Sequence, residues 1–360
     1  MTELYRGPCP YCKATIAVDG TPASVAPSEY VHSSYKPETV TDAKVNAITL
    51  IAPPAPSPTP TPTPPAPVIV PFPAPALIKR VTGVQRKIDY RPAPLPDGML
   101  LDARGLVMKG QEHYPINWYG NGRGRWIGGH VEGTWDELTT PWTDAYHSFT
   151  GMIAGWPYPV VEGFRCHNYG DPVRFNQPEV VYFEQRWGWY TNMHDDGFGE
   201  NDRQKNGLIE DCLVDGCHVG YSQRRDKTWT STGNANSVTI RRSLIRLAPF
   251  ALTSEPTKPN THGGFFKVDT RDPTSNPWLH FEDLVVCARM NAATGDLDLN
   301  PSKRTTAKNC VVVWLGAGEY PVRPLPVGWT LTRDASVWEK AKADHLAKRA
   351  AWVAALPAAA

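Results

Sequence analysis

Short apolar pieces recur through the middle of the chain, each closing on a polar or small residue at a bend. Val161-Glu162-Gly163-Phe164, Ile209-Glu210-Asp211-Cys212-Leu213, Ile240-Arg241-Arg242-Ser243-Leu244 and Phe281-Glu282-Asp283-Leu284-Val285 share this cadence, and Lys308-Asn309-Cys310-Val311 is a degenerate fifth copy. Turn-rich insertions of uneven length separate them. A sandwich would space its strands at about 8–12 residues with plain alternation. A doubly wound α/β fold would put amphipathic helices between strands, and the pattern holds none before the C-terminal tail. Coils that alternate an inward apolar residue with a small residue at a bend stack into a solenoid. Cys212, Cys217, Cys287 and Cys310 stand where a small buried residue belongs and are expected as core thiols. The pattern predicts an all-β solenoid body over residues 86–330.

Both flanks differ from the body. In the tail, residues 331–360, alanine, lysine and leucine dominate from Ser336 onward, which predicts a helix of about four turns ending before Pro357. Trp338, His345 and Trp352 recur every seven residues, an apolar stripe that should pack on the body or on a neighbour. At the other end, residues 51–75 hold twelve of the 36 prolines and no charge. Each proline fixes φ and removes a donor, so neither helix nor sheet can form there. An extended polyproline spacer of ~75 Å is expected, at roughly 3.1 Å per residue. This Pro-rich linker, residues 51–85, divides the body from residues 1–50, which are too few and too polar for a core of their own and are expected to act as an anchor. That segment carries Cys9 and Cys12 as a Cys-x-x-Cys pair. A structural zinc needs four ligands, so His32 with another group, or a second chain, would have to complete the site. A disulfide or cross-link and a pair of plain thiols are the other readings.

Composition narrows the function. Hydrophobic residues at 41% and charged ones at 20% allow a buried core, so the chain is not disordered as a whole. Thirty-seven basic residues against thirty-six acidic ones leave +1, which excludes a binder of nucleic acid that relies on phosphate neutralisation. No run of 18 apolar residues is present, so no membrane span is expected. The start, MTELYRGPCPYC, has no cationic stretch leading into an apolar run, so no secretory signal is expected. Thirteen tryptophans are an excess, concentrated between Trp118 and Trp189. Glycine beside tryptophan leaves a ring face open to stack on a sugar; the alternative is that these rings cap the first coils. Trp187, Trp189, Tyr190, Arg224 and Arg225 are the candidate substrate-binding residues.

The stretch Asn206-Gly207-Leu208-Ile209-Glu210-Asp211-Cys212-Leu213-Val214-Asp215-Gly216-Cys217-His218-Val219-Gly220, preceded by His194-Asp195-Asp196-Gly197-Phe198-Gly199-Glu200-Asn201-Asp202, resembles a rung of the right-handed parallel β-helix of the pectin-lyase-like superfamily. The resemblance covers about residues 120–320. It implies the fold, and a range of activities: the superfamily includes lyases, hydrolases, epimerases, phage tailspikes and non-catalytic adhesins. Polygalacturonase-like members place Asp-Asp, then Gly-His-Gly, then Arg-x-Lys on successive rungs. The matching positions here are Asp195-Asp196, Cys217-His218-Val219 and Arg241-Arg242, so Asp195, Asp196, His218 and Arg241 are the candidate catalytic groups. The sequence departs from that pattern twice. His218 lacks its glycines, and no Asn-Thr-Asp stands in Val180–Glu184.

Other chemistry fits the same turn. Asp-Asp-Gly and Glu-Asn-Asp are common turn residues because their side chains bond their own backbone. Oxygen ligands from Glu200 and Asp202 suit calcium. Zinc and calcium are thus the cofactors to consider. Two functions follow. One is a virion component, a phage tailspike or fibre that attaches to other virion proteins through its N-terminal segment, meets cell-surface polysaccharide with its body, and assembles as a homo-oligomer. The alternative is an extracellular or cell-surface carbohydrate-active enzyme, a polysaccharide hydrolase or lyase.

Overall fold

The structure, a computed structural model, describes residues 77–136, 149–175, 177, 180–199, 206–223, 235–250, 262–269, 276–289, 297–300, 303–322 and 324–357, together with the backbone of three N-terminal strands. The chain divides into two compact units, Met1–Thr63 and Pro64–Ala360. In the first, Tyr5–Pro8, Thr15–Val18 and Ile48–Ile51 form an antiparallel three-stranded sheet. Cys9, Cys12 and the proline-rich tract from Ala52 to Pro75 lie outside the described residues.

The second unit is a solenoid of parallel strands, a parallel β-helix in outline, with one helix at its C-terminal end. Three sheets wrap one core. The first stacks Arg123–Ile127, Tyr158–Glu162, Tyr182–Arg186, Asn206–Glu210, Ser237–Arg241, Trp278–Glu282 and Thr305–Lys308. The second stacks His130–Gly133, Arg165–Tyr169, Leu244–Leu247, Val285–Ala288, Cys310–Trp314 and Trp329–Thr332. The third stacks Ile88–Asp89, Ile116–Tyr119, Thr150–Gly155, Asp171–Arg174 and Phe266–Val268. Long strands turn the corners: Leu77–Gln85 and Met99–Gly110 pass from the first sheet to the second, and Trp189–Gly199 and Leu213–Gln223 from the second to the third. The first coil therefore begins at Leu77, inside the stretch 51–85 that composition assigns to the linker.

Parallel stacking in register turns each position of the sequence cadence into a column. Leu101, Trp126, Val161, Gln185, Ile209, Ile240 and Phe281 form one inward column of the first sheet. Gln185 is its one polar member, and its Nε2 donates to the buried Tyr190 hydroxyl at 2.6 Å. The next position out reads Glu162, Arg186, Glu210, Arg241, Glu282, Lys308, alternating in sign from coil to coil. Slipping one coil by one residue would set these charges opposite the inward column, so the ladder helps to define the register. Glu210 is its centre, 2.5 Å from Arg241, in contact with Arg242 and 3.6 Å from Arg186. Burial acts to raise its carboxyl, but Arg241, Arg242 and Arg186 outweigh it and hold Glu210 below its ordinary value. Glu210→Ala should therefore cost about 1–2 kcal/mol, because Arg241 loses its partner while Arg186 keeps Glu184 and Arg242 keeps Asp211; urea melting measures it, and a cost under about 0.5 kcal/mol would show the ladder to be decorative. Because the Glu210 carboxyl is held low, its contribution is present at neutral pH and is lost as pH falls through the lowered value.

The bend at this position is left-handed in seven successive coils, beginning with that of Arg123–Ile127. Gly128, Gly163, Trp187, Asp211, Arg242, Asp283 and Asn309 have φ of 77°, 64°, 54°, 50°, 48°, 50° and 54°. Glycine, Asp and Asn adopt this conformation at low cost. Arg242 and Trp187 do not; Arg242 is held by Asp211 and Glu210, and the strain at Trp187 by the C-terminal end of the chain. The Trp187 ring stacks on Trp352 with centroids 5.7 Å apart, and its carbonyl accepts from Arg349 Nε at 3.0 Å.

Both partners belong to the C-terminal helix Ala335–Ala355, capped by Asp334, whose carboxylate accepts from the Ser336 amide. As the tail's spacing predicts, Trp338 and His345 are its buried residues. Trp338 packs on Leu213, Leu244, Cys287 and Val313, the outward apolar strip of the second sheet. Arg349 Nη2 reaches the Gly163 carbonyl at 2.9 Å, so one guanidinium ties two successive bends. A β-carbon at Gly163 would lie 2.6 Å from the Trp352 ring. Gly163→Ala should accordingly lower stability by about 1–2 kcal/mol, through the left-handed φ and the clash together. In a Trp352→Ala background the increment should shrink to the backbone share; equal increments in the two backgrounds would refute the contact.

No described helix is long and apolar enough to cross a membrane. The five described cysteines, Cys166, Cys212, Cys217, Cys287 and Cys310, are all buried free thiols. Trp118, Trp126 and Trp156 are fully buried in the early coils, with Trp118 centred 5.8 Å from Trp126 and 5.1 Å from Trp156.

Candidate functional site

Asparagine builds the corner between the second and third sheets. Asn168 and Asn192, in successive coils, are left-handed at φ 56° and 59°. Asn192 Nδ2 donates to Asn168 Oδ1 at 3.1 Å, and Asn168 Nδ2 donates to the Gly133 carbonyl at 3.1 Å. Three residues after each asparagine comes an aspartate, Asp171 in one coil and Asp195 in the next. Stacking then brings Asp171, Asp195 and Asp196 together: one carboxylate oxygen from each lies within 4.8 Å of the others.

A bulge shapes this meeting. Met193 pairs with Cys217 and Asp196 with Val219, so the chain carries one more residue through His194-Asp195 than the coil above carries through His218. Bulges re-aim side chains, and they are enriched beside active sites. The Asp195 amide donates to the Gly170 carbonyl at 3.0 Å, and the Asp196 amide donates to Asp171 Oδ1 at 3.0 Å. Arg174 Nε donates to Asp171 Oδ2. From two coils further on, Lys267 Nζ stands 3.6 Å from Asp195 Oδ1 and 3.7 Å from Asp196 Oδ1. Asp171, Asp195 and Asp196 are 0%, 2% and 0% exposed, so their mutual repulsion is poorly screened.

Among the described residues, three carboxylates face Arg174 and Lys267, and a proton retained on one carboxyl would bring these five groups to neutrality. The shifts agree. Burial lifts Asp171 to about 6, opposed by Arg174 and reinforced by Asp196. Burial lifts Asp195 well above its ordinary value, with Asp196 adding to the rise and Lys267 opposing it. Burial disfavours the charged Arg174, but Asp171, Asp195 and Asp196 outweigh it and hold the guanidinium above its usual range. A proton-holding carboxyl beside an ionised one is the pairing that general acid–base chemistry needs. The three oxygens are also close enough to share a cation, but Lys267 and Arg174 already bring positive charge to that point.

The other residues singled out from sequence fall in several places. His218 is buried in the coil directly above the bulge, and its carbonyl accepts from the Gly263 amide at 2.8 Å. His194 Nε2 bonds Asn168 Oδ1 at 2.6 Å, and its ring lies against Phe250. Arg241 is not brought to the aspartates: it belongs to the first sheet, in the ladder with Glu210. Parallel stacking keeps the same strand position on the same sheet in every coil, and Arg241 ends a first-sheet strand. Lys267, in the third sheet, supplies the cation expected of Arg241.

The aromatic candidates are engaged within the fold. Tyr190 is fully buried and bonded to Gln185. Trp187 packs on Trp352. Trp189 has the guanidinium groups of Arg165 and Arg349 at 5.0 Å and 5.6 Å from its ring centre. Arg224, Arg225, Glu200, Asp202, Cys9 and Cys12 lie outside the described residues.

Asp171, Arg174 and Lys267 were not found from sequence. The available signal is the repeat Asn168-Tyr169-Gly170-Asp171 and Asn192-Met193-His194-Asp195, the same Asn-x-x-Asp spacing in consecutive coils. No family model matches this chain, and neither a curated protein nor a solved structure does.

Proposed function

We propose that the solenoid is a right-handed parallel β-helix of the pectin-lyase-like kind and that its aspartate corner hydrolyses glycosidic bonds in a polysaccharide. One observation carries this reading: Asp171 and the Asp195-Asp196 pair, from consecutive coils, bring their carboxylates within 4.8 Å of one another. Hydrolysis of a glycosidic bond uses two carboxyl groups, one to protonate the leaving oxygen and one to activate water or stabilise the sugar cation. Asp195 is the proton donor, since burial and Asp196 favour its neutral form. The ionised partner is Asp171, whose two oxygens accept from Arg174 and from the Asp196 amide. His218 follows one coil on and Lys267 one coil beyond that, which supports the likeness to the polygalacturonase-like order of Asp-Asp, His and a cation.

The division into a small N-terminal sheet and a solenoid, joined through a proline-rich stretch, suits display on a large particle. We place the protein on a phage virion, in the manner of a tailspike or fibre, attached through its N-terminal segment to other virion proteins and acting on cell-surface polysaccharide as a homo-oligomer. The extracellular or cell-surface enzyme is the alternative setting. The full burial of the trio favours a second reading, a displayed body that engages glycan without cleaving it. Incubating the full chain with a panel of acidic and neutral polysaccharides, and following new reducing ends, separates the two. Release of reducing ends supports hydrolysis, and glycan binding without release supports the adhesin.

A further inference from the structure

We infer that Arg174 is a positioning residue of this corner: from the coil below, it holds Asp171 ionised and aimed at the Asp195-Asp196 pair. The inference rests on the hydrolytic reading for its consequence in catalysis, but its geometry stands apart from it. Asp171 has a donor on each oxygen. Arg174 Nε bonds Oδ2, and the Asp196 amide bonds Oδ1 at 3.0 Å. A carboxyl bonded only to donors at both oxygens is favoured as the anion. Asp195 differs: its Oδ1 is buried with no hydrogen-bond donor among the described residues, and Lys267 stands off at 3.6 Å. The two carboxyls are thus differentiated by what surrounds them.

The fold makes room for this arrangement. Arg174, Gly199, Ser222 and Lys267 occupy one row of the third sheet in successive coils. Gly199 sits directly above Arg174, and a β-carbon there would come within 3.2 Å of the Asp171 carboxyl carbon. Only hydrogen at that position leaves Asp171 its usual van der Waals space. Arg174 itself is confined, with a side chain 14% exposed, so it cannot swing to another partner at low cost. The groups facing Asp171 are Arg174 on its own strand, Asp195 and Asp196 from the next coil, Lys267 beyond them, and the buried Cys166 thiol from the preceding strand. Arg174 is the cation bonded to Asp171.

The test reads the carboxyls directly and then the reaction. Titration of the full chain with ¹³C-labelled aspartate follows Asp171, assigned by its loss in Asp171→Asn. Arg174→Gln should move the Asp171 midpoint up by about one to three pH units, the usual weight of an adjacent guanidinium, and Arg174→Lys should restore part of the shift. If polysaccharide turnover is present, Arg174→Gln should lower kcat with little change in KM, and the acid limb of its pH profile should move up with the midpoint. A moved midpoint in a chain without turnover supports Arg174 and removes the hydrolytic reading. An unmoved midpoint in folded Arg174→Gln overturns the inference. Should that variant fail to fold, Arg174→Met, which keeps the apolar stem without the charge, decides: an upward shift supports the role, and an unchanged midpoint overturns it.

Discussion

Asp195→Asn should lower polysaccharide turnover by a factor on the order of 10² to 10⁴, the usual weight of a positioned proton-transfer group. The fold should survive, because an amide occupies the same space and Asp195 is favoured as the neutral acid in the folded chain. Stability should also change its pH dependence. Asp195 and Asp171 are both raised by burial, so their contribution is complete below the ordinary value of 3.8 and is lost as pH rises through the folded values, about 6 for Asp171 and well above the ordinary value for Asp195. Glu210, Asp215 and Asp102 are held low and contribute in the opposite direction. The trio is therefore read as a difference. Relative to wild type, Asp195→Asn should gain melting temperature as pH is raised from about 4 to 8. Calorimetry with reducing-end assays covers both effects. Unchanged turnover and a parallel pH dependence would reduce Asp195 to a residue that closes a bend. A cation held by the trio would give another signature, in which chelator lowers the melting temperature of the wild type and leaves the variant unmoved.

Trp338→Ala should destabilise the solenoid by about 3–5 kcal/mol, the cost of emptying a buried tryptophan site. The residue is 2% exposed and covers Leu213, Leu244, Cys287 and Val313, with Val337, Ala341 and Leu346 of the same helix packed beside it. Lys342 reaches Asp215 from the same helix, and Arg349 ties the bends at Gly163 and Trp187, so loosening the helix releases the strip and the strained corner together. Cys287 reports on it. Burial pushes its thiol up to about 11, which keeps it unreactive in the intact fold. Thiol labelling of Cys287 should accelerate in Trp338→Ala at denaturant concentrations where the wild type stays protected. A loss under about 1 kcal/mol, with Cys287 still protected, would show the helix to be an accessory that the solenoid does not need.

The bends were the most legible part of the fold. Glu162-Gly163, Glu210-Asp211, Arg241-Arg242, Glu282-Asp283 and Lys308-Asn309 are local signals, because a left-handed residue and a small neighbour are required wherever one sheet gives way to the next. The coil at Arg186-Trp187-Gly188 escaped notice for the same reason: tryptophan stands where Gly, Asp or Asn normally would, and only Trp352 and Arg349 make that tolerable. Arg241 was placed with the aspartates because rungs were aligned by order along the chain. Its sheet, fixed by the Glu210 ladder, sends it elsewhere.

By itself, the sequence determined that this chain stacks short strands into a solenoid, that a helix follows it, and that Asp195 and Asp196 stand side by side; the turn expected at that pair is instead a bulge within the strand Trp189–Gly199. Those properties depend on residues within one bend or one helical stripe. Tertiary structure decided which groups join the aspartates. Asp171 and Arg174 come from the coil below and Lys267 from two coils above, and insertions of unequal length hide that correspondence along the chain. Parallel strands repeat at about 4.8 Å across the sheet, so neighbours in the site are neighbours in stacking order. Burial then does the rest: carboxyl groups brought within 4.8 Å of one another and away from water have the Asp171 and Asp195 values raised.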